Sequence, residues 1–255
     1  MKTMRRIVLS IAAVLTAAPV MASTFRVSPM QLDLSARTAS TLLTINNDTK
    51  REIRFEVTAM KWEQDERGEM HLTPAGDHIT FFPRLFSLAG GANRTIRVGT
   101  SAGAFGPTEG TYRIFVEELP DASAPPERGT VAIRTKLGIP VFLRPAQQTA
   151  TAEIEGVSFE GGKLVTRVRN TGNVHMIVDT VNMRGTGSGG DVKLDRTLNG
   201  WYVLAGGTRV FEQPIKASEC AGAQNIAVTV ALQGGTLKKE LPVPAGACSA
   251  TAATR

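Results

Sequence analysis

The stretch TVAIRTKLGIPVFLRP, residues 130–145, decides the fold. Its odd positions hold Val131, Ile133, Thr135, Leu137, Ile139, Val141 and Leu143, and its even positions include Arg134, Lys136 and Arg144. A period of two places every second side chain on one face, the pattern of a β-strand with an apolar row. Pro140 falls inside the run. Proline has no N–H to give to a ladder, so it belongs on an edge strand or at a bulge. A long apolar edge is a hazard, because its free N–H and C=O groups template pairing with other chains. Left open, such an edge is suited to receiving a partner strand. The alternative is an inner strand of a β-sandwich whose apolar row only fills core, and periodicity leaves both readings open.

Working outward, residues 121–129, DASAPPERG, lead into this strand. Pro125-Pro126 favours extended backbone and argues against helix, so the segment reads as an exposed loop. Before it, residues 24–120 read as strands. Phe25 and Val27 alternate, as do Met30, Leu32 and Leu34, with a phase slip at Ser28-Pro29 that predicts a bulge. Ile53, Phe55 and Val57 alternate with Arg54 and Glu56, one face buried and one wet. Further strands are expected at 41–46, 79–82, 95–98 and 111–118, separated by turn residues such as Asn46-Asn47-Asp48 and Gly90-Gly91. After the central stretch, 146–150 reads as a polar linker. Strands follow around 157–159, 164–169, 174–183 and 226–232, the last running into a Gly234-Gly235 hairpin signal. Many short strands with turn signals and no helical period indicate antiparallel sandwiches. The fold class is all-β, with domains at 23–145 and 146–249 and a tail at 250–255 expected to be disordered.

The chain has 255 residues and opens MKTMRRIVLSIAAVLTAAPVMAS. A basic start, a short apolar run and the small-x-small site Val20-Met21-Ala22 read as a secretory signal peptide over 1–22, too short for a membrane span. Cleavage removes Lys2, Arg5 and Arg6 from a net charge of +6. What remains is scattered charge with few aromatics to stack bases, so nucleic-acid binding is not expected. Only two cysteines occur, Cys220 and Cys248. In an exported chain such a pair suggests one disulfide, contributing ~3 kcal/mol in the chain-entropy model for a loop of roughly 30 residues. Free thiols are the alternative.

No catalytic constellation stands out. Gly185, Gly187 and Gly190 have dinucleotide-fingerprint spacing, but no helical stripe follows them, so they read as a glycine-rich loop. His71, His78 and His175 lack metal-ligand spacing, and no Gly-x-Ser-x-Gly elbow or Cys–His pair occurs. The reading is therefore not an enzyme, with no cofactor and no metal. The informative charges lie in strands. Arg97, Glu109 and Arg144 could form a guanidinium–carboxylate cluster that fixes two domains at one angle; three solvated residues are the alternative.

Three segments then carry a resemblance: FFPRLFSLAGGANRTIRVG (81–99), EGTYRIFVEELP (109–120) and AIRTKLGIPVFLRP (132–145), in this order. Together they resemble the PapD-like periplasmic chaperones of pilus and fimbrial assembly. The match covers most of the first domain and is weak in the second. The resemblance implies two immunoglobulin-like domains in an L shape, a periplasmic location and a non-enzymatic role. It implies donor-strand complementation of an incomplete pilus subunit and delivery to an outer-membrane usher. Whether the free protein caps its own edge by forming a dimer is left open by the sequence. Val131, Ile133, Leu137 and Ile139 would enter the subunit's groove.

The family also anchors the subunit's terminal carboxylate on two basic residues of the inter-domain cleft. One matching place falls near Met30-Gln31 and the other near Pro140; neither is basic, and Arg134 and Lys136 are the nearest candidates. The family's inter-domain ion cluster maps to Arg97, Glu109 and Arg144, with no acidic partner evident at 233–235. These departures fit the archaic, spore-coat-U-associated branch. The competing reading is a secreted structural or adhesive immunoglobulin-like sandwich, in which this strand is core or self-associates.

Overall fold

The computed structural model describes residues 25–120, 133–244 and 246–247. The expected signal peptide, the whole 121–129 loop, Val131, Cys248 and the tail lie outside the described residues.

In the first half the strands are β1 (Phe25–Ser28), β2 (Leu32–Leu34), β3 (Ser40–Asn47), β4 (Ile53–Gln64), β5 (Met70–Pro74), β6 (Thr80–Phe82), β7 (Leu85–Leu88), β8 (Asn93–Gly99), β9 (Gly110–Glu118) and β10 (Lys136–Leu143). In the second half they are β11 (Ala152–Glu160), β12 (Lys163–Asn170), β13 (Met176–Thr186), β14 (Val192–Asn199), β15 (Tyr202–Val203), β16 (Thr208–Pro214), β17 (Asn225–Leu232) and β18 (Gly235–Pro242). One sandwich is formed by the sheet β1-β3-β8-β6 against the sheet β2-β10-β9-β4-β5, with β7 also on β4. The other is formed by β11-β12-β16 against β14-β13-β17-β18, with β15 also on β13. Each encloses its own apolar cluster, one built around Phe25, Phe55, Ile96 and Ile114 and one around Val168, Val181 and Val228. The fold is two immunoglobulin-like β-sandwich domains, as the alternation requires.

The phase slip at Ser28-Pro29 has a larger consequence than a bulge. β1 pairs antiparallel with β3 in one sheet, whereas β2 pairs parallel with β10 in the other. The chain changes sheets between them. β2 covers β10 only opposite Val141–Leu143, so β10 is an inner strand there and an edge strand from Lys136 to Pro140. The long edge strand expected from 130 onward is therefore half covered, and its regular ladder begins at Lys136.

Its apolar row also turns inward. Ile139, Val141 and Leu143 belong to the core of the first sandwich, and Leu137 packs against it. Such a row buries several aliphatic side chains, each contributing about 1.5–3 kcal/mol. The glycine-rich loop is the β13–β14 hairpin, with Gly190 at φ 79° and a strand, not a helix, after it. One short helix, α1 (Ala217–Gly222), carries the buried Cys220; it is too short to show a helical period in sequence.

Candidate inter-domain cleft and donor edge

Glu109, just before β9, is the centre of the domain junction. Its side chain is 0% exposed. A buried carboxylate must be paired and hydrogen-bonded to be tolerated, and this one is. Arg144 Nη1 donates to Oε2 at 2.8 Å. The His175 backbone N–H donates to Oε1 at 3.0 Å, and His175 Nδ1 lies 2.7 Å from the same oxygen. The Arg144 guanidinium also meets Asp33 of β2, with Nη2 at 2.7 Å and Nε at 2.8 Å from Oδ1. His175 is the second domain's contribution, where an acid was sought. Its ring stacks on Phe142 of β10 at 3.7 Å between centroids. Tyr202 of β15 closes the stack against Phe142 and Trp62.

Arg97 is not part of this cluster. It sits on β8, in the opposite sheet, and Nη2 donates to Ser40 Oγ at 3.2 Å. Asp33 takes the place assigned to it. Chain position alone cannot show which of two packed sheets a strand joins.

The outer face of the β9–β10 sheet forms one wall of the cleft, and it holds a residue missed in the sequence. Arg113 of β9 is only 8% exposed and stands directly across from Pro140 in the ladder. Its guanidinium lies 4.2 Å over the Trp62 ring, a cation–π arrangement. Nη1 reaches the Gly138 carbonyl at 3.5 Å, and Nε is buried without a partner. Burial pushes its pKa below the usual arginine value, yet a guanidinium keeps its charge at neutral pH. The available signal was the break in TYRIFVEE: Tyr112, Ile114 and Val116 point one way, and Arg113 the other.

The two anchor candidates from the sequence lie at and just before the start of β10. Arg134 is exposed ahead of β10. Lys136 pairs with Glu117 at 2.8 Å and stands over the Phe115 ring, at the end of β10 away from Arg144.

Along the open part of β10 the backbone groups alternate. Thr135 C=O accepts from Glu118 N–H at 3.0 Å, which fixes the phase of the ladder. Leu137 and Ile139 then bond β9, Lys136 and Gly138 turn their N–H and C=O groups outward, and Pro140 turns its C=O outward. Pro140, which lacks an N–H, thus faces the open side. Ile133, just upstream, is 80% exposed. Ile139, one of the expected donor side chains, is 0% exposed inside the chain's own core. Leu137 is half-buried against the same core.

Residues 24–149 match the family described as pili and flagellar-assembly chaperone, PapD N-terminal domain. The chain belongs to the PapD-like pilus and fimbrial assembly chaperones. Solved PapD-like chaperones share its fold at low identity. A chain of the CsuC–CsuE chaperone–tip subunit pre-assembly complex, from the archaic Csu pili of Acinetobacter baumannii, is 17% identical with a TM-score of 0.59. The match covers 86% of this chain and 98% of that one. The YadV chaperone is 12% identical with a TM-score of 0.58, covering 86% and 100%. The complex of the Salmonella enterica SafA pilin with the SafB chaperone gives 15% and 0.54, covering 88% and 99%. No curated protein matches the sequence. In this PapD-like chaperone the strand switch between β1 and β2 covers β10 opposite Val141–Leu143 and no further.

Proposed function

We propose that this chain acts in the periplasm, lending the open edge of β10 to an incomplete pilus subunit and passing the subunit to an outer-membrane usher. The observation that carries the reading is the run from Lys136 to Pro140, which is paired with β9 on one side and open on the other, with exposed Ile133 just ahead of it. A subunit lacking a strand exposes an apolar groove and two unpaired edges, and would aggregate through them. A lent strand satisfies both. Ile133, and Val131 upstream, are the side chains offered to the groove, each contributing about 1.5–3 kcal/mol when buried. Leu137 and Ile139 hold the strand to its own domain.

Arg113 takes the anchoring role first assigned to Arg134 and Lys136. A buried guanidinium with a free N–H in an inter-domain cleft is matched by a carboxylate, and a subunit's C-terminus supplies one. The signal peptide, the Cys220–Cys248 disulfide, the domain limits at 145/146 and a self-capping dimer of the free protein complete this reading.

The test is co-purification with a strand-deficient pilin subunit. Ile133→Asp is expected to abolish capture with thermal unfolding unchanged, and Arg113→Gln to weaken capture. Wild-type capture by Ile133→Asp would overturn the proposal.

A further inference from the structure

A second contact between the domains lies away from the Glu109 junction. β4 is the longest strand, twelve residues, and its hairpin with β5 reaches the second domain. The tip is a built turn. Asp65 Oδ1 accepts from the N–H groups of Arg67 and Glu69, both at 2.9 Å. Gly68 N–H donates to Asp65 C=O at 2.9 Å. Gly68 has φ 77°, a left-handed conformation that glycine alone adopts without strain.

The turn meets β16, the outer strand of its sheet. β16 bonds β12 on one side; on the other, Val210 N–H donates to Glu66 C=O at 2.7 Å. Arg167 Nη1, from β12, adds an ion pair to the Glu66 carboxylate at 2.8 Å. Arg209 lies under the turn, so close that a Cβ at Gly68 would stand 2.4 Å from its Nη1. Its Nε and Nη1 are buried, and burial lowers its pKa while Asp65 opposes the shift. An exposed ion pair contributes little; the backbone bond to an otherwise open edge and the covered guanidinium are the specific elements.

We propose that the β4–β5 tip is a clasp that shuts the edge of β16 and sets the angle between the two sandwiches, separately from the Glu109 junction. The same strand β4 carries Trp62, against which Tyr202 packs.

The test uses the full chain without any subunit, so its outcome is independent of strand lending. Residues 65–69 are replaced by an Asn-Gly turn, which keeps the hairpin but removes the tip. Gly68→Val is a second variant that keeps the tip length. In the wild type, the Val210 amide is protected from hydrogen exchange and residual dipolar couplings of both domains fit one alignment tensor. In the shortened variant, Val210 loses protection and the tensors separate, while each domain keeps its own spectrum; Gly68→Val shifts both readouts the same way. An unprotected Val210 amide in the wild type, or a single shared tensor in the shortened variant, would overturn the clasp.

Discussion

Glu109 and Arg113 lie four positions apart on the way into and along β9, and burial treats them oppositely. Glu109 has its charge answered by Arg144 and by the His175 N–H. Removing it leaves Arg144 with Asp33 alone and the His175 N–H unpaired. Truncating one partner of a buried ion pair costs roughly 3–5 kcal/mol. Glu109→Ala is therefore expected to lower the unfolding free energy by about that amount, read by urea denaturation; a change below the measurement error would show that the cluster adds nothing. Arg113 has no carboxylate answering it among the described residues. That contrast separates a structural charge from a candidate binding one. The sequence groups Glu109 with Arg144 because one precedes a strand and the other ends one near the same junction. It could not reject Arg97, whose strand joins the other sheet, or find His175, a lone histidine without motif spacing.

For the single element β10, one strand has three environments along its length. Ile133 is exposed, Lys136 to Pro140 is an open edge, and Val141 to Leu143 is covered by β2. The consequence is position-dependent. Ile139→Ala empties a fully buried site and should cost about 2–5 kcal/mol, with part of the loss from the cavity left behind. Ile133→Asp, by contrast, should leave stability untouched while ending capture. Thermal unfolding of the two variants side by side checks the division; equal destabilisation would mean that residue 133 is also core. The period-two pattern foretold the strand and the inward row. It could not place the cover strand, because β2 reaches β10 only after the chain crosses from one sheet to the other at residues 28–31.

On the scale of the whole molecule, two sandwiches are held at two places, the Glu109 junction and the hairpin tip. The second is expected to respond to acid. The Asp65 carboxyl is held below the usual carboxylate value, chiefly by the Glu69 N–H and then by the Arg67 N–H. A depressed folded pKa means that its stabilising contribution is present above the ordinary carboxylate value and is lost as pH falls through the folded one. The turn should therefore loosen in acid below the normal Asp range. The Val210 amide shift, followed through an acid titration, should move with the Asp65 carboxyl; no movement through that titration would detach the turn from the edge it covers.

Local alternation of apolar and polar residues was enough to determine that the chain is all-β, where most strands run and that residues 130–145 are special. Those properties depend on neighbours in sequence, through the pleat of a strand and the missing N–H of Pro140. Which residues meet was decided only by tertiary structure: Asp33 and His175 on Arg144 and Glu109, Arg113 on Trp62, Glu66 on Val210. Each of these joins strands far apart in the chain, and contacts across sheets and domains leave no period for a linear pattern to carry.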